Sequence, residues 1–91
     1  MRPQDIKSVR QLTGLNQTDF AKLVGVSLTT VNKWERGHAQ PKKENIKKIE
    51  GLVGSENLRV IQAKLLYDLP LLEVSKDLRK RANSKRGELV K

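Results

Sequence analysis

Residues 17–36 read QTDFAKLVGVSLTTVNKWER and carry the strongest structural pattern in the chain. It predicts two short helices that cross steeply and are joined by a tight turn. Two helix axes approach closely only where the side chain between them is small, and Ala21 meets that need. Gly25 can adopt the positive φ that the turn requires. Ser27 is placed to cap the second helix and Gly37 to end it, so four weak signals together make a strong one.

Segments with the apolar spacing of a helix, separated by glycine or a loop, also lie on both sides of this stretch. The spacing of Ile6, Val9 and Leu12 predicts a first helix from Pro3 to Thr13, which Gly14 ends. A fourth helix follows a loop, and its apolar residues recur at helical spacing: Ile46, Ile49, Leu52 and Val53. No window alternates with a period of two for long enough to predict a strand. We therefore expect an all-α protein.

The composition favours a polyanion as the partner and excludes several kinds of chemistry. The 91 residues include 19 Lys and Arg against 10 Asp and Glu, which gives a net charge of +9. Because there is no cysteine and only one histidine, we expect no metal, no cofactor and no enzymatic activity. The aromatic residues, one each of Phe, Trp and Tyr, are too few for a base-stacking RNA platform. No apolar run approaches the length of a membrane span, and we expect a cytoplasmic, nucleoid-associated protein.

The stretch from about Ile6 to Leu52 resembles the phage repressor/Cro-type helix-turn-helix family, which includes the xenobiotic-response-element regulators. The resemblance is carried by these strings: Leu15-Asn16-Gln17, Phe20-Ala21, Val24-Gly25 and Trp34-Glu35-Arg36-Gly37, followed by Pro41. It implies a lambda-repressor-like fold whose partner is double-stranded DNA. In that family the second helix of the motif enters the major groove and presents its first turns to base edges. The resemblance covers a little over half of the chain.

The outward-facing side chains of this second helix are candidates for contact with DNA: Leu28, Thr29, Asn32, Lys33 and Arg36. The resemblance implies base contacts by Leu28, Thr29 and Lys33. Leu28 can offer only an apolar contact to a thymine methyl, whereas Lys33 suits guanine O6 and N7. Asn32 lies further round the helix and is expected to reach only the backbone. Without the motif, these charges would be interpreted as an ordinary solvated face.

The remaining DNA-binding candidates flank this helix: Gln17, Ser27, Thr30, His38, Lys42 and Lys43. Gln17 and Thr30 match phosphate-contacting positions of the family. Lys42 and Lys43, which follow the loop, are expected to clamp phosphates. His38 is the weakest candidate and is otherwise an ordinary loop residue.

Two charged residues lie beside apolar helix faces. Arg10 comes four residues after Ile6, and Glu35 comes four residues after Val31. A half-buried carboxylate is costly without a partner, so we predict an Arg10–Glu35 ion pair that ties the first helix to the third. The resemblance implies the same pair. The alternative is that both groups are solvated.

We expect residues 1–54 to form the helix-turn-helix domain and residues 55–91 a two-helix extension. Its helices are predicted from Ser55 to about Tyr67 and from a cap at Asp68 onward. Two apolar stripes on them are candidates for a homodimer interface: Leu58, Ile61 and Leu65, and Leu71, Val74 and Leu78. The basic run Lys76–Arg86 has three interpretations: a contact with flanking DNA, the solvated face of a dimerisation helix, or an unstructured tail.

The function expected from these observations is sequence-specific binding of double-stranded DNA by a transcriptional repressor of phage or prokaryotic kind. One recognition helix spans only a few base pairs, so useful specificity predicts a homodimer on two half-sites. The alternative is an antitoxin that binds a toxin through residues 55–91 and autoregulates its operon. Sequence alone does not separate the two. Nonspecific binding of bulk DNA, driven by the net charge, is a further alternative.

Overall fold

Six helices make up residues 1–67 and 72–89, which are the residues that the computed structural model describes. They are α1 (Pro3–Thr13), α2 (Gln17–Val24), α3 (Leu28–Arg36), α4 (Lys43–Val53), α5 (Ser55–Tyr67) and α6 (Leu72–Leu89). No strand occurs within these two ranges. The all-α class is therefore confirmed. The predicted start of the last helix at Asp68 lies outside the described residues.

The helix ends follow from local chemistry. Gly25 lies between α2 and α3 with a φ of 88°, a backbone conformation that residues with a Cβ rarely adopt. The side chain of Asn16 accepts a hydrogen bond of 2.7 Å from the backbone N–H of Asp19, which caps α2. Ser27 caps α3 in the same way, because its Oγ accepts from the N–H of Thr30 at 3.1 Å. Gly25 and the Ser27 cap thus define the two ends of the turn between α2 and α3, and Asn16 defines the start of α2.

One hydrophobic core runs through both halves of the chain. Its buried members come from all six helices and from the loop before α2: Ile6, Val9, Leu15, Phe20, Ala21, Leu23, Val24, Val31, Trp34, Ile49, Leu52, Val53, Leu58, Ile61, Leu78 and Ala82. The core is continuous across residue 54, because α6 packs across α1 and α4 and α5 packs against the same two helices. The extension is thus packed onto the motif that it follows.

This packing corrects the expected homodimer interface. Leu58, Ile61 and Leu78 are buried in the chain's own core, and Val74 is partly buried against it. They cannot at the same time offer an apolar surface to a second copy. The side chain of Leu65 and the whole of Leu71 lie outside the described residues.

Side-chain hydrogen bonds fix the path of α6. At its start, Ser75 Oγ donates to the carbonyl oxygen of Leu12 at the end of α1, over 3.2 Å. Asn57 Nδ2 of α5 donates to Asp77 Oδ2 over 2.6 Å. Near its other end, Arg86 Nη2 donates to Asp19 Oδ2 in the first turn of α2, over 3.2 Å. The helix therefore runs from the end of α1 towards the beginning of α2.

The basic run Lys76–Arg86 lies wholly within α6. Its interpretation as an unstructured tail is wrong, because the helix continues to Leu89. Two of its arginines lie at the C-terminal ends of other helices. Nη1 of Arg79 is 2.9 Å from the position that a Cβ would take at Gly14, the C-cap of α1. Nη2 of Arg81 is 3.1 Å from the corresponding position at Gly54, the C-cap of α4. A guanidinium beside a helix C-terminus interacts favourably with the helix dipole.

Candidate nucleic-acid interface

The outer face of α3 is exposed, and its inner face is buried. Val31 is fully buried and Trp34 is 3% exposed, so both side chains anchor α3 in the core. On the opposite face Leu28 is 45% exposed, and the other candidates are exposed or half-buried: Thr29, Asn32, Lys33 and Arg36. An exposed leucine in the first turn has no packing role on this surface. A rigid helix thus presents one apolar and several polar side chains outward.

The hydroxyl groups of Ser27 and Thr30 are hydrogen-bonded to each other at the start of α3. Besides capping the helix, Ser27 Oγ lies 2.8 Å from Thr30 Oγ1 in a second hydrogen bond. Ser27 is exposed and Thr30 is half-buried. The cap gives the first turn a defined orientation, which fixes where the side chains of Leu28 and Thr29 project.

A contact between α2 and α3 joins two of the candidates. Asn32 Nδ2 donates to Gln17 Oε1 over 3.4 Å. Because the amide oxygen of Gln17 is the acceptor, its NH₂ group is left with two donors for another ligand. Gln17 is the first residue of α2, where unpaired backbone N–H groups and the helix dipole favour an anion.

Positive charge follows α3 in the loop and in the first turn of α4. His38, Lys42 and Lys43 are exposed, whereas Pro41 is buried and anchors the loop. Lys42 is the N-cap residue of α4, and its side chain makes no capping hydrogen bond. The two lysines, which the sequence analysis expects to clamp phosphates, thus lie at the N-terminus of α4.

Arg10 and Glu35 pair beneath this surface. Arg10 Nε and Nη2 donate to the two carboxylate oxygens of Glu35 over 2.7 Å and 2.9 Å. The side chains are 14% and 6% exposed. Hydrogen bonding to Glu35 raises the pKa of Arg10 above its ordinary value, despite partial burial. Arg10 Nη1 also donates to the carbonyl oxygen of Leu15 over 3.1 Å, so one guanidinium fixes α1, α3 and the loop before α2.

Sequence reasoning missed the contact between Arg86 and Asp19. The two residues are 67 positions apart, and no local pattern links them.

Among the described residues, no group of three or more His, Cys, Asp and Glu side chains could hold a metal ion. No described helix is both long enough and apolar enough to cross a membrane.

A family model described as a helix-turn-helix matches residues 6–56, from α1 into the start of α5. Among curated proteins, the "Uncharacterized HTH-type transcriptional regulator YiaG" of Escherichia coli strain K12 is 32% identical over 69 residues. The match covers 76% of this chain and 62% of that relative. Its counterparts in the O6:H1 strain CFT073 and in O157:H7 match equally well. The chain thus spans less than two thirds of the length of these relatives. No solved structure matches it significantly.

Proposed function

Because the chain belongs to the Cro/C1-type helix-turn-helix family, we propose that it is a regulator of transcription that binds specific sequences of double-stranded DNA. The observation that carries the proposal is the outer face of α3, which is exposed along its length while Val31 and Trp34 hold the helix in the core. An α-helix of this kind fits the major groove, where each base pair presents a distinct pattern of donors, acceptors and methyl groups.

Base recognition is assigned to three exposed side chains of α3. Leu28 contacts a thymine methyl, since it can neither donate nor accept a hydrogen bond. Lys33 donates to guanine O6 and N7, and Thr29 hydrogen-bonds to either kind of base edge. Arg36 lies one turn or less beyond Lys33 on the same face and supports binding through charge.

Backbone contacts surround this helix and set its register on the duplex. Gln17 donates to a phosphate through its free NH₂ group, and the contact with Asn32 holds its side chain towards α3. Thr30 and Ser27 contribute at the start of α3. Lys42 and Lys43 clamp a phosphate at the start of α4, where the helix dipole adds to their charge. His38 is a weaker contact in the loop.

Repression by occlusion is the simplest consequence of such binding, and it needs neither metal nor cofactor. The short reach of one recognition helix favours two copies on two half-sites. The interface between the copies must lie outside Leu58, Ile61 and Leu78, because these are buried within the chain.

Selection of bound duplexes from random-sequence DNA tests the proposal. We expect enrichment of a short motif, repeated with two-fold symmetry at a spacing of about one helical turn. Competition with bulk DNA then measures the ratio of specific to nonspecific affinity. No enrichment above the unselected pool would instead support nonspecific, charge-driven binding and would overturn the proposal.

A further inference from the structure

The far end of α6 lies at the same edge as the start of α2. Asp77 bonds to Asn57 near the start of α6, and Arg86 bonds to Asp19 near its end. At 1.5 Å per residue, the nine-position separation of Asp77 and Arg86 places these two contacts about 14 Å apart along the helix. Asp19 lies in the first helical turn of α2, two residues after Gln17. Arg86 is therefore held beside the helix N-terminus to which the proposed function assigns a phosphate contact.

The charge at this end of α6 is available to a ligand. The side chain of Arg86 is 48% exposed although it pairs with Asp19. A guanidinium has five N–H donors, so one bond to Asp19 leaves several for another acceptor. Lys85 is exposed, with no ion-pair partner within the described ranges, and it lines an open groove between α6 and the end of α4. Two cations thus adjoin at one end of one helix.

Asp19 alone would make this edge unfavourable for DNA, since a carboxylate repels phosphates. Arg86 offsets that charge directly, at 3.2 Å. The pair also orients the guanidinium, which lowers the entropy lost when it binds. The geometry is that of an anchored cation next to an anion-binding helix end.

We propose that Lys85 and Arg86 form a second backbone clamp, which contacts duplex DNA phosphates next to the one bound by Gln17. This inference rests on the proposed function and deepens it: α3 selects the sequence, while the end of α6 adds sequence-independent affinity at the flank. It assigns the end of the basic run, at Lys85 and Arg86, to DNA contact. Lys76, at the other end of the run, takes no part, because it pairs with Glu73 and lies about 15 Å along the helix from Arg86.

The salt dependence of binding to random-sequence duplex DNA tests this inference. Each phosphate contact releases counterions and contributes roughly 0.9 to the slope of log affinity against log salt. The variant Lys85→Ala/Arg86→Ala should lose about 1.8 of that slope per bound chain and bind more weakly at low salt. Partial unfolding would lower binding equally at every salt concentration, so the slope separates a lost phosphate contact from lost structure.

A second double variant serves as the control, because it removes the same amount of charge from α5 and from the start of α6, away from Lys85 and Arg86. Arg59 and Lys76 are exposed and pair with Glu56 and Glu73 within their own helices. Arg59→Ala/Lys76→Ala should leave the slope unchanged, whereas an equal fall in both double variants would show a net-charge effect and overturn the inference. Arg86→Lys should keep the slope because it keeps the charge.

Three other results would contradict the inference. An unchanged slope in Lys85→Ala/Arg86→Ala, with binding by the wild type intact, would overturn the clamp and leave the proposed function standing. Arg86→Ala weakening binding equally at every salt concentration, with the slope unchanged, would assign the residue to structure alone. A wild-type protein that binds no duplex at all would overturn both proposals together.

Discussion

Arg10 of α1 and Glu35 of α3 are joined by two parallel hydrogen bonds, of 2.7 Å and 2.9 Å, beneath the outer face of α3. The pair links helices whose residues are 25 positions apart, and its third donor reaches the carbonyl oxygen of Leu15. A buried ion pair adds little net stability, because desolvation offsets much of the attraction. Its geometry nevertheless fixes the position of α3 relative to α1, and the proposed recognition surface depends on that position.

Removing one partner of this pair should therefore be costly. Arg10→Ala leaves the buried carboxylate of Glu35 without a counter-charge, and we expect a loss of about 3–5 kcal/mol in the free energy of unfolding. Arg10→Met/Glu35→Leu should recover much of that loss, because it removes both charges. Urea denaturation measures both variants, with Arg59→Ala at an exposed ion pair as the control. A free energy of unfolding unchanged by Arg10→Ala would contradict the burial of the pair.

The extension should contribute directly to the stability of the helix-turn-helix domain. Leu78 of α6 is fully buried in the shared core, so Leu78→Ala should lower the free energy of unfolding by about 2–5 kcal/mol. Leu72→Ala is a matched control on the same helix, because Leu72 is 67% exposed. Equal stabilities for the two variants would show that α6 does not pack on the domain.

Acid should weaken the contact between α5 and α6. Hydrogen bonds from Arg81 and Asn57 lower the pKa of Asp77 below its ordinary value. A carboxylate with a lowered folded-state pKa stabilises the fold above its unfolded pKa of about 4, and this stabilisation is lost as the pH falls through the folded value. Thermal melts should therefore show Asp77→Asn to be less stable than wild type at neutral pH, with the difference shrinking in acid. A difference that stays constant down to full protonation would refute this.

A phosphate contact at the start of α4 should contribute equally to the affinity for every DNA sequence. Lys43→Ala should weaken specific and random DNA alike and lower the salt slope by roughly 0.9 per bound chain. Lys76→Ala, at an exposed lysine of α6, is the control. Were Lys43→Ala to weaken only the preferred sequence, Lys43 would belong to base recognition instead.

The helices of the motif could be predicted from sequence because their ends are set locally. Gly14, Gly25 and Gly37 end α1, α2 and α3, and each lies next to the helix it ends. Asn16 and Ser27 cap α2 and α3 through residues three positions away. Local signals of this kind need no knowledge of tertiary packing.

The placement of the extension could not be predicted in the same way. Its apolar stripes were visible, but a stripe does not say whether it packs on its own chain or on a second copy. The contacts that decide this, from Ser75 to Leu12 and from Arg86 to Asp19, join residues 63 and 67 positions apart. For the site, the outward face of α3 followed from periodicity, whereas the role of each side chain rests on the family.

Base recognition by α3 is tested by the affinity of Lys33→Ala for a selected sequence and for random DNA. Lys33 is exposed on the outer face of α3, so its loss should not disturb the core. We expect binding to the selected sequence to weaken by about 1–3 kcal/mol, preference to relax at one base position, and binding to random DNA to change much less. Equal losses on both kinds of DNA would remove Lys33 from base recognition and contradict the assignment of α3 as the recognition helix.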